Sequence, residues 1–240
     1  MWSYFGSKLN VVDLYPSPKY GRIIEPFAGS AQYALKYWDR DVLLVDKYEI
    51  IVKLWKWLQI ADEGYIRNLP RLEKGQSVDE FQWDCEEAKW LIGMIISVSV
   101  TAPRKIATKW TTAPIRPNHQ HFKLNQIADN LKKIRKWDIR LGTYEDISND
   151  KATWFIDAPY QKAGSFYIHG SKDINYTDLA DWCKSRSGQA IVCEDISAKW
   201  LDFYPLRVQK GARRNNMEAI WSNLPHDFMA RQPSLMESVT

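Results

Sequence analysis

Asp157-Ala158-Pro159-Tyr160 sets a carboxylate, a backbone carbonyl ahead of a proline and an aromatic face in consecutive positions. The apolar run Ala152-Thr153-Trp154-Phe155-Ile156 predicts a buried strand, so Asp157 emerges at its carboxyl end. This grouping suits a flat base bearing an exocyclic amine. Asp157 and the Ala158 carbonyl can each accept a hydrogen bond from the amine, and Tyr160 offers a ring for stacking. An adenine amine is a poor nucleophile because its lone pair is delocalised into the ring. Two acceptors aimed at its two hydrogens favour the pyramidal amine that can attack a methyl group. Asp and Pro are also common turn formers, so the tetrapeptide alone fits an ordinary strand exit equally well.

A second feature lies near the amino terminus. Arg22-Ile23-Ile24 reads as a short strand, followed by Glu25-Pro26-Phe27-Ala28-Gly29-Ser30-Ala31 and a helix over about Gln32 to Trp38. Small residues in such a loop let a ligand approach the backbone, as in a nucleoside-binding crevice. Gly29 is the loop's single glycine, short of the three-glycine dinucleotide fingerprint, which argues against a bound pyrophosphate. The next strand, Asp41-Val42-Leu43-Leu44-Val45, ends at Asp46. An acid about 20 residues after the first strand is placed to hold ribose hydroxyls. Taken singly, Asp46 is more ordinarily a helix cap.

Together these pieces resemble the Dam-like DNA adenine methyltransferases of the alpha group. The family's amino-terminal aromatic-x-Gly-x-Lys element matches Tyr4-Phe5-Gly6-Ser7-Lys8, and its acidic-Pro-Phe-x-Gly loop matches Glu25 to Ala31. Its acid after the second strand matches Asp46, and its Asp-Pro-Pro-Tyr element matches Asp157 to Tyr160. The order is that of the alpha group, with the recognition region between cofactor loop and catalytic motif. The resemblance spans nearly the whole chain and is weakest from about residue 60 to 140. It implies S-adenosylmethionine as cofactor, held by Glu25, Pro26, Phe27, Ala28, Gly29, Ser30, Asp46 and Asp157. Tyr4, Gly6 and Lys8 would close over it, and Tyr144, in Gly142-Thr143-Tyr144-Glu145-Asp146, would lie near its adenine. The family's first catalytic proline is Ala158 here, which keeps the carbonyl and loses the fixed φ of proline.

Composition is compatible. The balance of 45% hydrophobic and 26% charged residues is that of an ordinary globular protein, and a net charge of +4 permits DNA binding without arguing for it. Cys85, Cys183 and Cys193 have no metal-type spacing and form no even disulfide set, so a reducing cytoplasm is expected. No cysteine follows a proline, which leaves a covalent cytosine C5 mechanism without a nucleophile. Residues Met1 to Asn10 lack a signal-peptide core, and the apolar run Leu91 to Ala102 is too short to span a bilayer and reads as a buried helix. His119-Gln120-His121 reads as a surface loop rather than a metal site.

Two basic segments are candidates for DNA. Pro103 to Pro117 carries Arg104, Lys105, Lys109, Trp110 and Arg116, cations mixed with an aromatic that fit either phosphate tracking or a solvated loop. A hairpin is expected from Leu206-Arg207-Val208-Gln209 and Met217 to Trp221, with Arg213, Arg214, Asn215 and Asn216 at its tip. In the resembling family a basic hairpin at this place faces DNA. The Gly-bounded aromatic loop Gly164 to Gly170 would order over a flipped base or merely connect elements, and Gly188 would end a helix over Asp173 to Arg186.

The expected fold is a Rossmann-like α/β sheet, mostly parallel with an antiparallel hairpin, plus a mainly helical target-recognition insert. Residues 1–60 and 142–225 would form the catalytic domain, 61–141 the insert and 226–240 a loose tail. The expected activity is methyl transfer from S-adenosylmethionine to the 6-amino group of a flipped adenine in double-stranded DNA, by a monomer without metal or membrane contact. The alternatives are action on cytosine amines or RNA, and a nucleic-acid-binding relative without catalysis.

Overall fold

The protein is described by a computed structural model, which covers residues 1–2, 4, 6–98, 100–209 and 216–225. Its elements in chain order are β1 (Arg22–Glu25), α1 (Gln32–Lys36), β2 (Asp41–Asp46), α2 (Glu49–Ile60), α3 (Glu63–Asn68), α4 (Glu86–Ile95) and α5 (His119–Ile134). There follow β3 (Asp138–Leu141), β4 (Ala152–Ile156), α6 (Tyr176–Lys184), β5 (Gly188–Asp195), β6 (Tyr204–Gln209) and β7 (Asn216–Ser222). The strands form one sheet in the order β3-β2-β1-β4-β5-β7-β6. The first five are parallel, and β7 runs antiparallel to both β5 and β6.

Both faces of the parallel sheet are covered, and the strand sequences show why. Side chains alternate across a strand, so a strand buried on both sides must be apolar throughout. Ile23 enters one core and Ile24 the other; Val42 and Leu44 part from Leu43 and Val45 in the same way. Phe155 likewise opposes Trp154 and Ile156. A one-residue slip would exchange the two faces, and the pairing Ile23↔Val42 and Ile24↔Leu43 avoids it.

One core is shared with the helices of the 61–141 segment. The buried face of α2 (Ile51, Leu54, Trp55, Leu58) and that of α5 (Leu124, Ile127, Leu131, Ile134) follow helical spacing into the same cluster. Each such fully buried aliphatic side chain contributes about 1.5–3 kcal/mol relative to exposure. Gln59 locks the two helix ends together, its Nε2 donating to the carbonyls of Ile134 (2.9 Å) and Trp137 (2.8 Å). The expected boundary at residue 141 shifts accordingly: Asp138–Leu141 is the edge strand of the sheet, paired with β2.

Three further expectations are corrected. The helix expected across Leu91 to Ala102 ends at Ile95, because the Ile96 carbonyl is taken by the Thr108 N–H (3.1 Å) and the Thr111 hydroxyl (2.6 Å). His119-Gln120-His121 is the first turn of α5 and not a loop; buried Gln120 clamps Leu72, accepting from its N–H (2.9 Å) and donating to its carbonyl (2.7 Å). Helix α6 ends at Lys184, and Gly188 opens β5 instead of closing that helix. The hairpin strands are formed as expected, and Asn216 begins β7; Arg213, Arg214, Asn215 and the tail 226–240 lie outside the described residues.

Gly188 enters β5 at φ +99°, and a Cβ there would stand 2.2 Å from the Ala152 carbonyl oxygen. Both facts demand glycine. Gly188→Ala is expected to cost about 3 kcal/mol or more, at the upper end of ordinary substitutions. Urea unfolding measures it, and a loss under about 1 kcal/mol, the cost of an ordinary glycine in a strand, would show that the strand entry is freely adjustable.

Candidate active site

The strand order reverses between β1 and β4, and a crevice of about 260 Å³ opens along the carboxyl ends of the strands there. Ligands of open α/β sheets bind at such a point because the loops on either side diverge. The loop after β1 forms one wall. Gly29 sits at φ +45°, and a Cβ there would press the Tyr4 ring at 3.1–3.2 Å. Its N–H donates to Asp46 Oδ2 (2.9 Å), and its carbonyl accepts from Trp55 Nε1 (2.9 Å). Asp46 Oδ1 accepts the Tyr48 N–H at the start of α2 (2.8 Å). Asp46 thus closes a turn ahead of α2, whose N-cap is Tyr48 and has no side-chain cap, and also ties the loop after β1 to β2. A carboxylate has about four acceptor positions, so capacity remains on the crevice side.

Glu25 is buried behind this loop, and its Oε1 accepts the Ala34 N–H of α1 (2.6 Å). Burial pushes its carboxyl up to about 8, against the opposing pull of that N–H. Phe27 and Tyr144 meet with ring centroids 5.6 Å apart, and Trp182 backs Tyr144 edge-on at 5.1 Å. Pro26, Ala28 and Ser30 complete the wall. From the opposite side the loop after β4 contributes Tyr167, Ile168 and His169, so the aromatic segment faces the crevice. His169 stands edge-on to Tyr48 at 6.3 Å.

Asp157 lies on the floor, 24% exposed, with Oδ1 2.6 Å from Lys8 Nζ. Lys8 is only 4% exposed; its ammonium also donates to the Gly6 carbonyl (2.9 Å), lies 3.8 Å from Glu218 and sits 4.7 Å from the centre of the Tyr160 ring. Burial works against the charged lysine, but the two carboxylates outweigh it and hold the ammonium above its ordinary range. Burial pushes Asp157 up to about 6; Lys8 opposes this and Glu218 adds to it. The ammonium 2.6 Å away favours the Asp157 anion against the effect of burial.

The tetrapeptide is held at several points. Tyr176 donates its hydroxyl to the Pro159 carbonyl, the Gly164 N–H donates to the Tyr160 carbonyl (2.6 Å), and the Gln161 N–H donates to Glu194 Oε2 (2.9 Å). The Tyr160 hydroxyl donates to Glu218, which also accepts from Tyr15 (2.6 Å). Asp157 and Pro159 line the crevice, whereas Ala158 is buried in the core and the Tyr160 ring faces the Lys8 ammonium.

The structure thus gathers Tyr4, Gly6, Lys8, the loop after β1, Asp46, Tyr144 and Asp157 at one crevice. Arg104, Lys105 and Lys109 lie on an exposed segment outside that lining. Lys105 is 79% exposed, with Asp79 at 3.5 Å, and Lys109 lies over the exposed Trp110 ring at 4.8 Å. Sequence reasoning missed Glu194 and Glu218. Their signal was an acid inside or closing an apolar strand, Ala190 to Cys193 before Glu194 and Met217 to Ile220 around Glu218. In a two-sided sheet such an acid has to be paired. Among the described residues no group of three or more His, Cys, Asp or Glu could hold a metal, and no helix is long and apolar enough to cross a membrane.

Glu25 carries a pH signature. Its folded-state value of about 8 lies above the ordinary 4.5, so its contribution to stability is fully present below 4.5 and is lost as pH rises to about 8. Relative to Glu25→Gln, which keeps an oxygen for the Ala34 N–H, the wild type is expected to lose stability across that window. Urea midpoints of both proteins at several pH values test this, and a constant difference would mean that Glu25 is ionised in the fold.

No family model matches the chain, and no curated protein matches it.

Proposed function

We propose that this protein is an S-adenosylmethionine-dependent methyltransferase acting on the 6-amino group of adenine in double-stranded DNA. The observation that carries this reading is the placement of Asp157, paired with the Lys8 ammonium, on the floor of the same switch-point crevice that the Gly29 loop and Asp46 enclose. The crevice fits the cofactor on its own terms. The Phe27–Tyr144 pair suits a flat purine, Gly29 allows close backbone approach, and Asp46 retains acceptor capacity for ribose hydroxyls.

When bound, S-adenosylmethionine supplies a methyl group activated by a sulfonium. Asp157 orients the amine by accepting from one of its hydrogens; Ala158, expected to supply the second acceptor, is buried in the core and does not line the crevice. Held there, the cofactor would give its methyl carbon to the amine nitrogen and keep the carbon–sulfur bonding pair on sulfur. The surplus proton passes from nitrogen by way of Asp157 to solvent. Asp157 need not be a strong base, because the amine becomes acidic once its lone pair is used. The base has to leave the duplex stack to reach this floor, and positioning supplies much of the rate.

Labelled methyl transfer to duplex DNA, single strands and RNA, followed by nucleoside analysis, tests the activity. N6-methyladenine from duplex DNA is the expected product. Methylated cytosine or RNA would move the protein to the alternative substrates, and cofactor and DNA binding without transfer would make it a binding relative. Asp157→Asn, which still offers Lys8 an oxygen, is expected to lower single-turnover transfer about 100-fold or more and to leave cofactor affinity within a few-fold. Transfer near the wild-type rate would remove Asp157 from the chemistry. If Arg104, Lys105 and Lys109 track phosphates, replacing all three by alanine weakens DNA binding and lowers the slope of log affinity against log salt by about two to three units. An unchanged slope would turn this face away from DNA.

A further inference from the structure

Glu218 projects from β7 into the buried space beneath Asp157, 5% exposed. Its Oε1 lies 3.8 Å from the Lys8 ammonium and accepts hydrogen bonds from the hydroxyls of Tyr15 and Tyr160. Two carboxylates from different strands therefore share one cation. A lysine belonging to Asp157 alone would serve it fully; a second carboxylate at the same ammonium divides that cation between two partners. The Tyr160 ring, under that ammonium, is fixed through the same carboxylate.

We propose that Glu218 is a positioning residue for Asp157: by sharing Lys8 and anchoring the Tyr160 ring, it keeps Asp157 an effective acceptor for the reacting amine. This rests on the methyl-transfer reading above. The other titratable groups coupled to Asp157 are Tyr4, Tyr15, Tyr160, Tyr167, Cys193 and Glu25. Burial pushes the tyrosines and Cys193 upward and Glu25 up to about 8, so near pH 6 they are uncharged. Among the described residues Lys8 favours the Asp157 anion and Glu218 opposes it.

Glu218→Gln tests this, because glutamine keeps an acceptor for both tyrosine hydroxyls and removes only the charge. The single-turnover rate is expected to fall towards the roughly 100-fold cost of losing a preorganised acceptor, because Lys8 would then draw on Asp157 alone, with cofactor and DNA affinities unchanged. The acid limb of the pH–rate profile and the carboxyl carbon-13 titration of Asp157 both move to lower pH, since a repelling anion is gone. Glu218→Asp, which restores the charge, moves both back towards wild type. A folded Glu218→Gln variant with a wild-type rate, or with an unchanged Asp157 titration, overturns the proposal. If wild type transfers no methyl group, the methyl-transfer reading fails separately, and the Asp157 titration still decides whether Glu218 sets that carboxylate.

Discussion

An ammonium enclosed by protein has to be paired, since removing an ion from water costs several kcal/mol even after relaxation. Lys8 is such a group, and its requirement for counter-charge organises much of the molecule. Asp157 reaches it from the end of β4 and Glu218 from β7, while the segment carrying Lys8 also brings Tyr4 over Gly29. Satisfying one cation thus closes the amino-terminal segment over the carboxyl edge of the sheet. It also joins the antiparallel hairpin to the parallel strands at the point where chemistry would occur.

The crevice itself follows from sheet topology. Crossovers to either side of β1 make neighbouring loops diverge, and the gap falls at the carboxyl ends of β1 and β4. The walls of that gap are pinned largely by side chains bonded to their backbone groups. Asp46 and Trp55 hold both polar groups of Gly29, and Glu194, Tyr176 and Gly164 hold the chain around Pro159. Ala31, a non-glycine residue at φ 43°, lies in the same loop. Left-handed backbone at a non-glycine residue survives only where surroundings over-determine it, and such positions concentrate at ligand sites.

The acids of the site show how environment divides chemically similar groups. Glu25, sealed behind the loop, is pushed up to about 8 and serves a helix N–H, whereas Asp157, open to the crevice and beside Lys8, reaches only about 6. Burial favours the neutral form of the first, while the Lys8 ammonium favours the anion of the second, which lines the crevice. Glu194 is spent on the backbone of Gln161 and Asp195 and the indole of Trp200.

Local pattern alone carried the sequence a long way. The apolar run of β4 announced a buried strand, and the strand-loop-helix spacing around Gly29 and the acid at position 46 marked the crevice. These are legible because side-chain periodicity and small-residue loops are short-range properties. Helix ends were not: Ile95 is the last residue of α4 because a distant Thr108–Thr111 segment takes the Ile96 carbonyl. Nor was β3, whose Asp138-Ile139-Arg140-Leu141 becomes a strand through pairing with β2. Above all, the resemblance put Asp157 and Lys8 at one expected cofactor site, but nothing in the sequence showed that they pair directly, or that Glu218 joins them from 61 residues beyond Asp157. Charge pairing across a sheet depends on which strands are neighbours, and strand order is settled only when the whole chain packs.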